Sequence, residues 1–189
     1  QEAAAVVKAS VIKNNAENGI AIILEPTTGN ILAMANYPTF DPTGGDVMAP
    51  PDARKSTKNP AVQDRLEPGS MFKVLTLAKG LNDGKINPDT IINCSGELTV
   101  WAGRAVHCDS HHGNRAHGPV DAEKAIAKSC NVSAATWALH IGYDSMTQYL
   151  KDLNLLRPTG VGLPFEAAGS FNFDEYAKPL QLATLGFGQ

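Results

Sequence analysis

Two side chains whose types and spacing could support chemistry are Ser70 and Lys73, which stand three residues apart just after Pro68 and Gly69. If a helix begins at this Pro-Gly break, both side chains lie on one face of its first turn. Serine is a useful nucleophile only when a neighbouring group takes its proton, and a neutral lysine amine can do so. The positive end of the helix would also favour negative charge on the serine oxygen. The pair therefore predicts nucleophilic catalysis, with Ser70 as nucleophile and Lys73 as base.

The Ser-x-x-Lys spacing is not specific, because it also occurs at Ser10 and Lys13. That copy lies inside an Ala-rich stretch with few helix breakers, where both side chains are expected to face solvent. Only Ser70 follows a break that would expose it at a helix start. The Ser70 copy is therefore the candidate for chemistry.

A Ser-x-Asn pattern also occurs twice, at Ser129/Asn131 and at Ser170/Asn172. The second copy lies in a Gly-rich stretch and is typical of turns. The first copy interrupts a long helical pattern, and a polar triplet between two helices can direct two side chains into a cleft. The first copy therefore joins the serine-lysine pair as a candidate part of the site.

A metal site is a second candidate, because histidine and cysteine are dense around the polar stretch 109–119. The possible zinc ligands are Cys94, Cys108, His111, His112 and His117, with His107 beside them. Their spacings match no zinc finger or knuckle, so an ordinary polar loop and a Cys94–Cys108 disulfide stay open as interpretations. The third cysteine, Cys130, is interpreted as a small buried residue rather than a nucleophile. No cofactor is predicted, and zinc is only one candidate interpretation of this stretch.

The elements that must position these residues are predicted from apolar periodicity and from Gly and Pro signals. Helices are predicted over 2–16, 70–81, 121–128, 132–141, about 144–153 with Asp144 or Ser145 as cap, and 174–186; strands are predicted over 19–25 and 31–36 and in a small hairpin within 89–108; loops are predicted over 37–62 and 109–119. The first two strands form a hairpin without polar alternation, so helices are expected to cover both of its faces. Two strands cannot form a stable central sheet alone, so either helices supply the core or further strands lie outside the chain.

Composition is ordinary for a globular protein of 189 residues, with 43% hydrophobic and 19% charged residues. The formal net charge of -3 argues against a nucleic-acid partner, because nucleic-acid-binding domains usually carry a basic excess. No apolar run reaches about 18 residues, so no transmembrane segment is predicted. The chain begins at Gln1 within a helical pattern, and we expect it to be a processed or partial piece.

The segment 59–73, Asn-Pro-Ala-Val-Gln-Asp-Arg-Leu-Glu-Pro-Gly-Ser-Met-Phe-Lys, resembles the active-site serine segment of class B penicillin-binding proteins. Further pieces resemble that family in its own order: the hairpin at 25–35, Tyr-Pro-Thr-Phe-Asp-Pro at 37–42, the path from 117–120 to 129–131, Thr-Gly-Val-Gly-Leu-Pro at 159–164, and the Gly-x-Gly-Gln segment that ends at Gln189. The ordered set is specific to the family, although no single piece is.

The resemblance implies an α+β fold of the penicillin-binding and serine β-lactamase-like transpeptidase type. It implies an incomplete one, with the all-α subdomain and the first hairpin of the central antiparallel sheet present and the later strands absent. The first helix and hairpin would occupy residues 1–42 and a mainly helical active-site subdomain 43–189, together the N-terminal two-thirds of one transpeptidase domain. The family's third motif, Lys-Thr/Ser-Gly, does not occur in the chain.

The same resemblance implies acyl transfer from a D-Ala-D-Ala stem peptide through an acyl-enzyme on Ser70. Lys73 would act as base, Ser129 as proton relay, and Asn131 would hydrogen-bond Lys73 or the substrate amide. The implied partners are peptidoglycan stem peptides, β-lactams, a C-terminal remainder of the domain, a glycosyltransferase and other cell-wall assembly proteins. The implied location is periplasmic or on the outer face of the bacterial cytoplasmic membrane, with a parent protein anchored by a transmembrane helix N-terminal to this chain.

Because the third motif would supply one oxyanion donor and the site for the substrate carboxylate, we expect the chain alone to be inert. Two other functions stay open. The first is a D,D-carboxypeptidase or β-lactam-hydrolysing relative, which fast deacylation would reveal. The second is a non-catalytic binding or assembly module.

Overall fold

A computed structural model of the chain describes residues 1–40, 58–109, 115–172, 174 and 178–189. The chain forms two compact units, one from Gln1–Arg65 with Pro158–Ala168 and the other from Leu66–Arg157 with Gly169–Gln189. Among the described residues, no helix is both long enough and apolar enough to span a bilayer. The predicted division of a single domain after residue 42 stays a prediction.

The first unit is built on a helix and a hairpin, as predicted. Its elements are α1 (Glu2–Asn14), β1 (Gly19–Leu24), β2 (Ile31–Tyr37) and a short α2 (Pro60–Gln63). The two strands pair antiparallel, with Gly19 opposite Tyr37. Val7 and Val11 of α1 are buried against Ala35 of β2 and form a small core.

Helices cover the hairpin only in part within the described residues of the first unit. α1 and α2 both contact the strands. Even so, five apolar side chains of the strands are 42% to 64% exposed: Ile22, Ile23, Leu24, Ile31 and Leu32. The prediction that helices cover both faces is therefore wrong for these residues. A strand sequence without alternating polar residues indicates that both faces of the strand are apolar, but it does not indicate which elements pack against them.

The second unit is mainly helical. It contains a 3₁₀ turn (Gly69–Met71) followed by α3 (Phe72–Asn82), α4 (Ala122–Ala127), α5 (Asn131–Ile141), α6 (Tyr143–Asp152) and α7 (Pro179–Leu185). α5 lies at the centre and packs against α3, α6 and α7. Its Ala134, Ala135 and Ala138 are 0% exposed, and such small side chains let the neighbouring helices approach closely.

Two short strand pairs complete the described part of the second unit. β4 (Glu97–Trp101) and β5 (Arg104–His107) form the small hairpin predicted within 89–108. β3 (Ile92–Cys94) instead pairs antiparallel with β6 (Gly118–Val120). The predicted loop over 109–119 is therefore wrong at its end. β6 is too short and too poor in β-forming residues to show a local pattern, and only its distant partner makes it a strand.

Two helix starts also differ from prediction. α6 begins at Tyr143 without a side-chain cap, so the expected cap by Asp144 or Ser145 is wrong. The Ser145 hydroxyl instead donates to the Asp83 carboxylate at 2.8 Å. Asp174 is helical, as predicted, but Lys178 is not, so the predicted helix over 174–186 is not continuous. α7 begins with Pro179 in its first turn, where a missing backbone N–H breaks no helical hydrogen bond.

Candidate active site

Ser70 lies in the 3₁₀ turn that leads directly into α3. Gly69 before it has a φ of +56°, a left-handed conformation that glycine adopts without strain. This entry leaves Ser70 exposed to solvent, while Phe72 and Lys73 just after it are buried. The predicted exposure of this serine at a helix start is therefore confirmed.

The Gly-x-Gly-Gln segment at the end of the chain lies directly against the serine turn. The Gly188 carbonyl accepts a hydrogen bond from the Gly69 N–H at 3.2 Å. A Cβ on Gly188 would come within 2.4 Å of the Gly69 carbonyl oxygen, so this close approach of two backbones requires glycine. The Thr76 hydroxyl of α3 also donates to the Gly186 carbonyl at 2.9 Å. The segment therefore supports the backbone that carries Ser70.

The amine of Lys73 is buried and has two close acceptors. Its side chain is 2% exposed, and its Nζ donates to the Ser129 carbonyl at 2.6 Å and to the Ser129 Oγ at 2.8 Å. Burial lowers the pKa of Lys73 from its ordinary value, against the opposite influence of Cys108, Cys130 and Asp109. A lowered pKa increases the fraction of neutral amine at a given pH, which a general base requires.

Ser129 lies in the break between α4 and α5. Asp121 caps α4 as predicted, accepting a hydrogen bond from the Lys124 N–H at 2.8 Å, and α4 ends at Ala127. Ser129 then adopts a φ of +52°, which is uncommon for a residue other than glycine. This turn presents both the carbonyl and the hydroxyl of Ser129 to the same amine. Strained backbone of this kind is often found at functional sites.

Ser129 connects the two predicted catalytic side chains. Its Oγ donates to the Ser70 Oγ at 3.1 Å and accepts from the Lys73 Nζ. The structure therefore brings together three of the four predicted site residues in one chain of hydrogen bonds that runs from amine to hydroxyl to hydroxyl.

Asn131 is the fourth predicted residue and lies at the start of α5. Its Nδ2 donates to the His107 carbonyl at 2.8 Å, which ties α5 to the end of β5. The predicted hydrogen bond from Asn131 to Lys73 is therefore not made by this amide nitrogen. Asn131 does line the same cleft as Ser70 and Ser129.

The cleft has a volume of about 800 Å³ and lies within the second unit. It is lined by Gly69, Ser70, Asp109, Ala116, His117, Ala127, Lys128, Ser129, Asn131, Phe187 and Gln189. Asp109 and Gln189 are not among the sequence-predicted site residues, although Gln189 belongs to a segment whose resemblance to the family could have indicated it. The other Ser-x-x-Lys copy, Ser10 and Lys13, is exposed on α1, as expected.

The cysteines and one histidine form a second cluster beside the cleft. The ligand atoms of Cys94, Cys108, His117 and Cys130 all lie within 4.8 Å of one another. Three of these residues are among the candidate zinc ligands from the sequence, whereas the other two candidates, His111 and His112, lie outside the described residues. His107 is half exposed and faces Glu97 instead, with 3.6 Å between Nδ1 and the carboxylate.

Sequence reasoning does not include Cys130 in this cluster. Two features of the sequence could have indicated Cys130 as a ligand: its position between Ser129 and Asn131, and the odd number of cysteines. All three cysteines are free thiols in the structure. The Cys94–Cys108 sulfur distance of 3.6 Å is longer than the roughly 2.05 Å of a disulfide bond, so the disulfide that the sequence left open is not formed here.

Comparisons with known proteins agree with this fold. The family model "Penicillin binding protein transpeptidase domain" matches residues 19–189. Penicillin-binding protein PbpB of Mycolicibacterium smegmatis is 33% identical over 156 residues, which cover 82% of this chain and 23% of that protein. The probable peptidoglycan D,D-transpeptidase PenA of Neisseria flavescens is 30% identical over 180 residues, covering 95% of this chain and 42% of PenA.

Among solved structures, the transpeptidase domain of Burkholderia pseudomallei penicillin-binding protein 3 matches with a TM-score of 0.78 and 26% identity, over 96% of this chain and 48% of that one. The chain belongs to the penicillin-binding protein transpeptidase domain family, and the class B resemblance and the α+β penicillin-binding fold are confirmed. It spans less than half the length of the relatives named above.

Proposed function

We propose that the protein is a peptidoglycan cross-linking D,D-transpeptidase that works through an acyl-enzyme on Ser70. The observation that carries this proposal is the hydrogen-bond chain from the buried Lys73 amine through the Ser129 hydroxyl to the exposed Ser70 hydroxyl. A nucleophile, a base and a connecting hydroxyl at one cleft are the groups that acyl transfer requires. The relatives named as D,D-transpeptidases supply the substrate class.

The acylation step uses this chain with its donor directions reversed. In the structure Lys73 donates to Ser129 Oγ and Ser129 donates to Ser70 Oγ. With a neutral Lys73 amine, the two hydroxyls turn so that Ser70 Oγ donates to Ser129 Oγ and Ser129 Oγ donates to Lys73 Nζ. Ser70 Oγ attacks the carbonyl carbon of the penultimate D-Ala, its proton passes to Ser129 Oγ, and the Ser129 proton passes to the neutral Lys73 amine. When the tetrahedral intermediate collapses, the peptide C–N bond breaks. The protonated Lys73 then returns a proton through Ser129 Oγ to the amine of the leaving D-Ala. Ser70 is left as an ester, and the amine of a second stem peptide attacks this ester to form the cross-link.

The surrounding groups have supporting roles in this proposal. The Ser70 backbone N–H, at the start of the helical segment, would stabilise the oxyanion of the intermediate. Asn131 is held by its bond to the His107 carbonyl and would present its amide oxygen to the substrate. Ser70 is also the acylation target for β-lactams, which mimic the D-Ala-D-Ala amide. The reaction would take place outside the cytoplasmic membrane, where peptidoglycan is assembled.

The test is labelling by a fluorescent penicillin of the protein as its gene encodes it. We expect a covalent adduct on the peptide that contains Ser70, and we expect Ser70→Ala to remove it completely. Ser10→Ala is the matched control, because Ser10 has the same spacing to a lysine but lies exposed on α1. Labelling that survives Ser70→Ala, or that falls equally in both variants, would contradict the assignment of the nucleophile.

The lifetime of the adduct separates the transpeptidase from its nearest alternative. A transpeptidase is expected to keep the penicilloyl ester for a long time, since its acceptor is an amine that penicillin does not supply. Deacylation that keeps pace with acylation would instead assign a β-lactam-hydrolysing activity. Absence of any adduct with a folded protein would support a non-catalytic binding module.

A further inference from the structure

Four potential metal ligands converge in the second unit from separate places in the fold. Cys94 ends β3, Cys108 follows β5, His117 precedes β6, and Cys130 caps α5. The three cysteines are 1% to 2% exposed, and His117 is half-buried at the edge of the cleft. Three free thiols and an imidazole at one buried point are unusual unless they share a ligand.

Three of the six distances between these ligand atoms match those of a tetrahedral metal site, and all six lie within 4.8 Å. The sulfur atoms of Cys94 and Cys108 are 3.6 Å apart, and those of Cys108 and Cys130 are 3.8 Å apart. The Cys94 sulfur lies 3.6 Å from Nδ1 of His117. Thiolates about 2.3 Å and an imidazole about 2.0 Å from a tetrahedral zinc ion would be separated by about 3.8 Å for two sulfurs and about 3.5 Å for sulfur and nitrogen.

The surroundings also suit thiolates that bind a cation. The Ser133 N–H, in the first turn of α5, donates to the Cys130 sulfur at 3.4 Å. This backbone hydrogen bond orients the sulfur, as neighbouring groups commonly orient metal ligands. The positive end of α5 lies at the same sulfur and favours its thiolate form.

We propose that Cys94, Cys108, His117 and Cys130 form a structural zinc site. Three thiolates and one imidazole are a ligand set that selects zinc, and four protein ligands leave no coordination position open for a substrate. The ion would join β3, β5, β6 and the start of α5. Because Cys130 lies between Ser129 and Asn131, the ion would also fix the segment that carries both residues.

This ligand set differs from the possible zinc ligands that the sequence suggests. It uses Cys130, for which the sequence favours a small buried residue, and it needs neither His111 nor His112. It also excludes the Cys94–Cys108 disulfide, since the same two sulfurs cannot both pair with each other and bind zinc. An experiment that detects either bound zinc or a Cys94–Cys108 disulfide therefore distinguishes the two interpretations.

The first experiment measures metal content in the protein as its gene encodes it, purified under reducing conditions without added metal. We expect about one zinc ion per chain by elemental analysis. X-ray absorption at the zinc edge is expected to show three sulfur ligands and one nitrogen ligand. Because this measurement uses the unaltered protein, it does not depend on the folding of any variant.

The second experiment compares His117→Gln with His140→Gln. His140 is an exposed histidine on α5 and serves as the matched control. We expect His117→Gln to weaken zinc binding at least tenfold in a competition with a chromogenic chelator, and to lower the melting temperature. His140→Gln should change neither quantity.

Three results would overturn the proposal. The first is reduced protein that contains less than about a tenth of an equivalent of zinc and takes up none on titration. The second is a Cys94–Cys108 disulfide found by peptide mass in protein purified without reductant. The third is equal zinc loss from the His117 and His140 variants. None of these outcomes depends on transpeptidase activity, so the zinc site and the proposed function stand or fall separately.

Discussion

The conformation of Ser129 is the feature at the residue scale on which the candidate site depends most. Its φ of +52° turns the hydroxyl toward both Ser70 and Lys73. Among the described hydrogen bonds, the route from Ser70 to Lys73 therefore passes through the Ser129 hydroxyl. A substitution that removes the Ser129 hydroxyl and keeps the positive φ can therefore test the role of the hydroxyl alone.

We predict that Ser129→Gly slows acylation by penicillin by about 10² to 10⁴, the usual contribution of a positioned proton-transfer group. Glycine keeps the positive φ without strain and removes only the side chain. Asn154→Gly is the control, because Asn154 also has a positive φ, of 54°, and lies away from the cleft lining. The rate would be followed by stopped-flow labelling; similar rates in both variants would remove Ser129 from the proton route.

The buried amine of Lys73 predicts a pH dependence. Lys73 accepts a proton only when it is neutral, so the acylation rate should rise with pH through its pKa. Because burial lowers that pKa, the midpoint should fall below about 10.4, the value of an unperturbed lysine. The measurement is the pH profile of penicillin acylation. Lys73→Arg keeps the charge at all these pH values and should be slow with no such rise; a wild-type rate that is flat or falls as pH rises would contradict this role.

At the scale of elements, the serine turn depends on a backbone contact with the Gly-x-Gly-Gln segment. Gly188 has a φ of +80°, and a Cβ there would overlap the Gly69 backbone. Since that backbone carries Ser70, a shift of the segment would move the nucleophile. A displacement near 1 Å is enough to slow an enzymatic step by about a hundredfold.

We therefore predict that Gly188→Ala slows penicillin acylation at least tenfold. Gly84→Ala is the matched control, because Gly84 also has a positive φ, of +65°, but a Cβ added there would meet no atom within 4 Å. Backbone strain should lower the stability of both variants by about 1 to 2 kcal/mol, and the overlap with Gly69 should destabilise Gly188→Ala further. Thermal unfolding and acylation rates measured together would show whether only Gly188 affects the site; equal rates would contradict the contact argument.

At the scale of the whole molecule, charge distinguishes classes of partner. The formal net charge of -3 and the pI near 5.9 give no basic excess. Nucleic-acid binding depends on the neutralisation of phosphates by lysine and arginine. We predict no measurable binding of labelled DNA or RNA at low salt by fluorescence anisotropy, with a basic domain of similar size as positive control. Salt-sensitive binding in the micromolar range would contradict this prediction.

Some features of the fold can be predicted from local sequence patterns, whereas others cannot. α1 and the β1–β2 hairpin follow from local patterns, which predict both close to their observed bounds. The exposure of Ile22, Leu24 and Leu32 does not follow from such patterns, because burial depends on what packs against a strand rather than on the strand itself. β6 escapes prediction for the same reason: its identity as a strand depends on its pairing with β3.

The sequence by itself determined the family, the exposed serine at its Pro-Gly entry, and the pairing of that serine with a lysine on the same helical segment. These features are local, since residues a few positions apart set the turn and the helix face. Only the tertiary structure decided that Ser129 bridges Ser70 to Lys73, that Asn131 bonds to His107, and that Cys130 joins Cys94, Cys108 and His117. Those contacts join segments far apart in the chain, and packing of the core, rather than sequence spacing, brings them within reach of one another.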